Sequence, residues 1–383
     1  MNSTAALFLV LFVCTVLYHI LAAVCAVIFY LRQKPDLTLS HWPKAACLKP
    51  LCGADSCLSS NLKSFLCQDY PDYQVIFGTA HREDPAYSIA DSVCGENAHC
   101  HARAVTGEQG NGTNRKIRNL LNIESHVDAD AQVLVISDSD IRVDRKYLKQ
   151  AVAPVCSSPD VGASTALYRI ENVFCPGDVL EALSVETTFV PGVLVAATFS
   201  KLTFAFGATI VLRRSDFIKA GGFRAVENHL ADDYRIGNNM SATGRHVALA
   251  PCVVAVSAPH QSLKKTLAHL TRWNRTIRIC RPAGYFFSII CCCSLWTLLA
   301  AAAAGTAPLA WAIVVGGCSI RIITAAVAAA CIGSKKGIIR AVLTPLWDLA
   351  AAVIWLCGLV GTTVTWRGVR YRLFSDGRMK EIT

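Results

Sequence analysis

Apolar residues crowd the two ends of this 383-residue chain, and short apolar runs separated by polar ones fill its middle. Residues 5–31, AALFLVLFVCTVLYHILAAVCAVIFYL, hold no Asp, Glu, Lys or Arg. At about 1.5 Å per residue, a helix of that length outspans the roughly 30 Å hydrocarbon layer of a bilayer. A cleaved signal peptide is the plainer alternative, but its apolar core is shorter and follows a cation, and no Lys or Arg precedes this run. A retained transmembrane helix is expected, with His19 tolerated or facing protein. Three further apolar segments follow residue 282, at roughly 283–304, 309–332 and 341–365. The second carries Arg321, and the third carries Pro345 and Asp348. A charge at bilayer depth is costly and faces protein or water. The third segment therefore reads as re-entrant or interfacial as readily as a plain span.

Between the ends, the pattern alternates between a period of two or continuous burial and a period near 3.6. AACLKPL, DYQVIFGT and AQVLVIS read as strands, the last of the kind buried on both faces. SCLSSNLKSFLCQ, PAYSIADSVCGENAH and VDRKYLKQAVAPV read as helices, the second with proline near its start. GASTALYR, FGATIVLRR and HVALAPCVVAVS are later strand candidates, and HLADDYRIGNNMSATG a helix ending near Gly244. Alternating strands and helices predict an α/β domain of parallel strands with crossover helices. In such sheets, ligands bind at the carboxyl ends of the strands.

Charge sharpens the picture. Arg32 and Lys34 follow the first apolar segment. Lys264, Lys265, Arg272, Arg275, Arg278 and Arg281 precede the second, and Lys335, Lys336 and Arg340 follow the third. The excess of cations on cytoplasmic flanks places these, and the middle region with them, in the cytoplasm. Four full spans would leave the basic tail WRGVRYRLFSDGRMK on the other side, so one late segment does not cross or the rule fails there. The net charge of +10 sits largely beside the apolar segments, where anionic lipid heads explain it more simply than nucleic acid. Of the 18 cysteines, eight lie in apolar segments, and a cytoplasmic location disfavours disulfides. CGENAHCH, with Cys94, His99, Cys100 and His101, lacks a clean paired metal spacing and reads as buried thiols and surface histidines.

The candidate chemistry is acidic. AQVLVIS runs into Asp138, Ser139 and Asp140. Alternate residues of an extended chain point the same way, so both carboxylates can face one hard divalent ion whose shell a nucleotide diphosphate completes. The plainer account is a solvated turn capping the next helix, with Asp144 as N-cap. Asp232 and Asp233 lie early in a helix, where the dipole favours them; the functional account is a general base that takes a proton from an attacking hydroxyl. Asp84, in REDPA after a strand, either meets a ligand or caps the helix begun by Pro85. In HLTRW, His269, Arg272 and Trp273 share one helical face: a planar cation for phosphate and a flat ring for sugar or lipid, or an interfacial belt. GNGTNRKIRNL, with Asn114, Arg115 and Lys116, reads as a loop approaching an anionic ligand or as a flexible surface turn; it is not a P-loop, lacking Gly-Lys-Ser/Thr.

The order REDPA, NGTNRK, SDSDIRV, HLADDY, HLTRW, flanked by apolar helices, resembles the ceramide glucosyltransferase family, glycosyltransferase family 21. The likeness extends to LKPLCGADSCLSSNLKSFLCQDYPDYQVIFG, FGATIVLRR and WRGVRYRL, and GTNRK, DSDIRV, HLADDY and RPAGY resemble its bacterial branch associated with hopanoid biosynthesis. The resemblance implies a GT-A catalytic domain, Rossmann-like with a mostly parallel sheet. It implies a helix over 1–34, catalytic domain over 35–260, amphipathic interfacial helix over 261–282, transmembrane or re-entrant helices over 283–366 and a basic tail over 367–383. It implies a UDP-sugar donor and Mg2+ or Mn2+. Asp84 would meet the uracil–ribose end, with Asn114 and Lys116 near the nucleotide; Asp138 and Asp140 would hold the diphosphate through the metal. Asp233 would be the catalytic base, with Arg272 and Trp273 completing the last motif, in which His269 replaces the family's usual Gln or Arg. The implied reaction is inverting transfer of glucose or N-acetylglucosamine to a hydroxyl of ceramide or a hopanoid polyol at a bacterial inner membrane. A processive polysaccharide synthase, a polyprenyl-phosphate sugar transferase and a non-catalytic scaffold are the rival readings.

Overall fold

The computed structural model describes residues 3–32, 39 and 41–382. Lys34 and the boundary between 34 and 35 lie outside the described residues. The chain divides into two compact units. One holds the described residues from 39 to Glu171, Ser200–Ser257 and the C-terminal residues from Gly368. The other holds the first helix, Asn172–Phe199 and Ala258–Arg367.

The first unit is built on an eight-stranded sheet. Its strands are β1 (Ala45–Pro50), β2 (Tyr73–Thr79), β3 (Ala102–Thr106), β4 (Val133–Ile136), β5 (Ile141–Arg142), β6 (Val161–Glu171), β7 (Ile210–Arg213) and β8 (His246–Ser257). They lie in the order β3-β2-β1-β4-β7-β6-β8-β5. β1 pairs parallel with β2 and β4, and β2 with β3, so their carboxyl ends share one edge, as the alternating pattern predicts. β7 enters antiparallel between β4 and β6, while β6 and β8 run parallel. Every residue of β1 and β4 is buried, which in β4 shows as a continuous apolar run, while β1 buries Lys49 as well. Phe65, Phe77, Tyr147 and Leu148 fill the core against them.

Three local differences from the sequence expectation matter. GNGTNRKIRNL is only half a loop, since a helix, Arg115–Glu124, starts within it with Asn114 as N-cap. Asp144 does not cap a helix directly: the helix Tyr147–Ser157 starts later, and the Asp144 carboxylate accepts from the Lys146 amide at 2.9 Å, within the turn that leads in. Within the segment expected as a basic tail over 367–383, the described residues form paired strands. Strands Val369–Leu373 and Met379–Glu381 pair antiparallel, because VRYRL alternates and buries Tyr371 and Leu373. The Met379 amide donates to Asn228 O at 2.8 Å, and the Thr113 hydroxyl to Met379 O at 3.1 Å.

In the second unit, among the described residues, four helices are long and apolar enough to cross a membrane: Ser3–Arg32, Pro176–Phe199, Ala307–Cys331 and Lys335–Leu359. The segment expected at 283–304 is a pair, Pro282–Cys291 and Cys293–Ala302, bent by 59°. The helix Pro176–Phe199 was not expected: residues 172–199, taken as part of a continuous 35–260 domain, group with the apolar helices. Asp178, Glu181 and Glu186 interrupt its apolar run, and Pro191 and Gly192 fall where a helix should be regular. Its centre, Val185–Phe189, is a π-helical turn. Pro191 has no N–H to give the Thr187 carbonyl, and Arg321 supplies the donor instead, at 3.2 Å. Arg321 is also paired with Asp348 at 2.9 Å, both about 1% exposed, so each of these charges faces protein. Among the described residues, Glu186 likewise meets Arg340 at 2.9 Å.

Candidate active site

β4 delivers Ser137, Asp138, Ser139 and Asp140 to the carboxyl edge of the sheet. Asp138 does not stand alone there. Lys116, in the first turn of the helix Arg115–Glu124, places its ammonium 2.7 Å from Asp138 Oδ1 and 3.2 Å from Asp232 Oδ2. Burial by itself would lower the Lys116 pKa. The charges of Asp138, Asp232 and Asp233 outweigh it, and the net shift is upward.

Asp232 and Asp233 are the first two residues of the helix Asp232–Ala242, where the helix dipole favours them. Asp233 Oδ2 accepts from the Gly207 amide at 2.9 Å, and Oδ1 from the Tyr234 amide at 2.7 Å. Burial pushes its carboxyl up to about 6, with Asp232 adding to the shift. Gly207 is the hinge of this arrangement. A Cβ there would come within 2.6 Å of Asp138 Oδ2, so no side chain fits between the two acid motifs. Asp138, Asp232 and Asp233, 94 or more residues apart in sequence from the first to the last two, thus converge around Lys116 and Gly207.

Asp140 sits beside them. Burial raises its carboxyl to about 7, with Asp138 adding to the shift. Its Oδ1 is buried with no hydrogen-bond partner. Two adjacent carboxylates, one with an orphaned oxygen, form a donor set that fits a hard divalent cation. Among the described residues, no group of three or more His, Cys, Asp or Glu side chains is gathered to hold a metal by itself.

Asp84 carries out its plainer role. It caps the helix Pro85–Glu96 by accepting from the Ala86 amide at 2.9 Å, and it accepts from the Gly53 amide at 2.9 Å, tying together the loops after β1 and β2. Asn114, expected near a ligand, is fully buried: its Oδ1 caps the Ile117 amide, and its Nδ2 donates to His229 O at 2.8 Å and to Asp232 Oδ1 at 3.5 Å. It shapes the loop that carries the acid pair.

Two contributors escaped the sequence. Lys49, on β1, reads by type as a surface residue but is 0% exposed. The register sets Leu48 opposite Ile136, which brings Lys49 level with the start of the acidic turn. Its ammonium donates to Asp138 O at 2.7 Å, and burial pulls its pKa down to about 7 against the charges of Asp140 and Asp138. Asp55, in the loop after β1, adds a further negative charge that raises Asp140. A lysine inside an otherwise apolar strand was the available signal for the first.

In the other unit, the helix Leu263–Cys280 puts His269, Arg272 and Trp273 on one face, as their spacing predicts. Arg272 Nη2 donates to His269 Nδ1 at 3.4 Å, and the His269 and Trp273 rings lie 4.6 Å apart. Burial pulls His269 down to about 4, with Arg272 adding to the shift, so a neutral imidazole is the acceptor. Trp273 packs against Leu183, Leu270, Trp347 and Ile354.

A profile of glycosyl transferase family 21 matches residues 7–379. Ceramide glucosyltransferase 1 of Caenorhabditis elegans is 22% identical over 259 residues, 67% of this chain and 54% of that protein. Ceramide glucosyltransferase of Komagataella phaffii is 30% identical over 122 residues, 31% of this chain and 24% of that protein. The chain thus spans about half, or less, of the length of these curated relatives. Among solved structures, the mannosyltransferase from Pyrobaculum calidifontis in complex with GDP-Man and Mn2+ is similar with a TM-score of 0.52 at 16% identity, over 88% of this chain and 99% of that one. At that identity the likeness is one of fold.

Proposed function

The chain belongs to glycosyl transferase family 21, and on that premise we propose that it is a membrane-bound inverting enzyme that moves a hexose from a UDP-sugar to a hydroxyl of a membrane lipid. Glucose or N-acetylglucosamine is the sugar, and ceramide or a hopanoid polyol the acceptor. The observation that carries the reading is the meeting of Asp138, Asp232 and Asp233 around Lys116 and Gly207 at the carboxyl edge of the sheet. The relatives are ceramide glucosyltransferases, and the similar fold from P. calidifontis binds a nucleotide sugar with Mn2+.

Asp138 and Asp140 are the residues that would hold Mg2+ or Mn2+, which when bound offsets the charge of the departing diphosphate. Asp233 accepts the proton of the acceptor hydroxyl; its raised pKa suits a base working near neutrality. Two backbone amides fix both of its oxygens, so the carboxylate is oriented before substrate arrives. Lys116 holds Asp138 and Asp232 at a set spacing and lends a cation to the nucleotide's phosphates. Asp84, besides capping its helix, would meet the uracil–ribose end, and Asn114 positions the 229–232 loop. Arg272 offers a planar fork to phosphate oxygens and Trp273 a flat apolar face.

The test is mass spectrometry of lipids from a host expressing the protein with candidate acceptors supplied. A lipid carrying one added hexose is the expected product; a long glycan, or a sugar on a polyprenyl phosphate, sinks the reading. Asp140→Ala is expected to weaken Mn2+-dependent UDP binding about tenfold or more. Overlapping titration curves for variant and wild type would count against the metal assignment.

The division of the chain also bears on membrane topology. β6 and Leu202, which bridges to Val247 of β8, lie in the same unit, so the chain enters and leaves Pro176–Phe199 from one side of the bilayer. On this reading that helix does not cross. Ser257 and Gly368 also lie in that unit, so an even number of crossings separates them, and we assign two of the three late segments as the ones that cross. On this reading the C-terminus lies in the cytoplasm, and the proposed location is the inner membrane of a bacterial cell. In sealed inside-out vesicles, protease is expected to remove a C-terminal epitope. A protected epitope, released only by detergent, refutes the topology.

A further inference from the structure

Three successive peptide carbonyls of the acidic turn are held by three different elements. Lys49 Nζ, from β1, donates to Asp138 O at 2.7 Å. Asn61 Nδ2, from the helix Leu58–Leu66, reaches Ser139 O at 3.5 Å. The Ser257 amide, at the end of β8, donates to Asp140 O at 3.0 Å. Lys49 also reaches Ser137 Oγ at 3.4 Å and lies 3.7 Å over the Phe65 ring. Both Lys49 and Asn61 are 0% exposed.

A lysine in this place is a poor choice for stability. Its acceptors are a carbonyl and a hydroxyl, and its packing partner is a ring, so desolvating the amine is offset only in part. A methionine of similar length would fill the same space without a polar group. What the amine contributes is geometry. With its carbonyls fixed in a row, the Asp138–Ser139–Asp140 backbone cannot rotate, and the two carboxylates keep one spacing while a neighbouring ligand comes and goes.

We propose that Lys49, with Asn61 beside it, is a positioning residue that fixes the Asp138–Ser139–Asp140 turn for a divalent cation carrying a nucleoside diphosphate. The proposal rests on the functional reading above. It extends the site to two buried residues that hold the backbone of the acids.

The full chain in detergent micelles tests it, by calorimetric titration of UDP with Mn2+ and by thermal unfolding of the same samples. Lys49→Met is expected to weaken Mn2+-dependent UDP binding about tenfold or more while its unfolding midpoint stays level or rises. Asn61→Leu is expected to weaken binding in the same direction by about threefold. Affinity of Lys49→Met within about twofold of wild type overturns the proposal. So does Asn61→Leu binding like wild type, which decides the matter alone should Lys49→Met not fold. Wild-type protein that binds no UDP with Mn2+ would instead bring down the functional reading itself, a result distinct from the others.

Discussion

Asp233→Asn should leave UDP binding intact and lower sugar transfer about a thousandfold or more. Asparagine has nearly the same shape as aspartate, and its one carbonyl oxygen can still accept from the Gly207 or Tyr234 amide. It cannot take a proton from an attacking hydroxyl. The wild-type acid limb follows from the same group. Burial and Asp232 set the Asp233 pKa at about 6, so below that pH the carboxyl is protonated and inert, and kcat/KM rises as pH passes through about 6. Bound cation, being positive, moves the limb lower. Rates and UDP affinity across pH 5–8 check both points, and normal turnover by Asp233→Asn would refute its assignment as the base.

Breaking the buried ion pair of the apolar unit should have the largest effect on stability. Arg321 donates from Nε and Nη2 to the Asp348 carboxylate at 2.9–3.1 Å. Asp348 Oδ2 also accepts from the Ser294 amide and hydroxyl, at 3.2 and 3.3 Å. Arg321→Met leaves Asp348 charged without its counterion and takes the guanidinium donor from the Thr187 carbonyl. A loss of about 3–5 kcal/mol is expected for either single removal, and less for Arg321→Met with Asp348→Leu than for the sum of the two. Reversible unfolding in mixed micelles measures the cycle. Single variants within about 1 kcal/mol of wild type would show that the pair is dispensable.

How much of this was legible beforehand depends on the range of the interaction. β4 was readable because four buried apolar residues precede the acids, and Asp84 because proline follows it. The shared face of His269, Arg272 and Trp273 follows from helical spacing alone. Gly207 gave no such signal, since its importance is a 2.6 Å approach to a carboxylate 69 positions earlier. The helix Pro176–Phe199 was hidden because Glu186 and Pro191, read locally, argue against an apolar helix. Arg340 and Arg321 satisfy what those residues leave open.

The sequence by itself determined the chain's class: apolar segments of bilayer length, strands that end in acids, and an order of motifs found in one family. Periodicity and charge are properties of neighbours along the chain, so they survive without coordinates. The tertiary structure alone decided which acids share a cation in Lys116, why Lys49 is buried, and that residues 172–199 and 368–382 belong to different units from those their positions in sequence suggest. Those outcomes depend on strand register and on partners scores of residues away, and no local pattern encodes them.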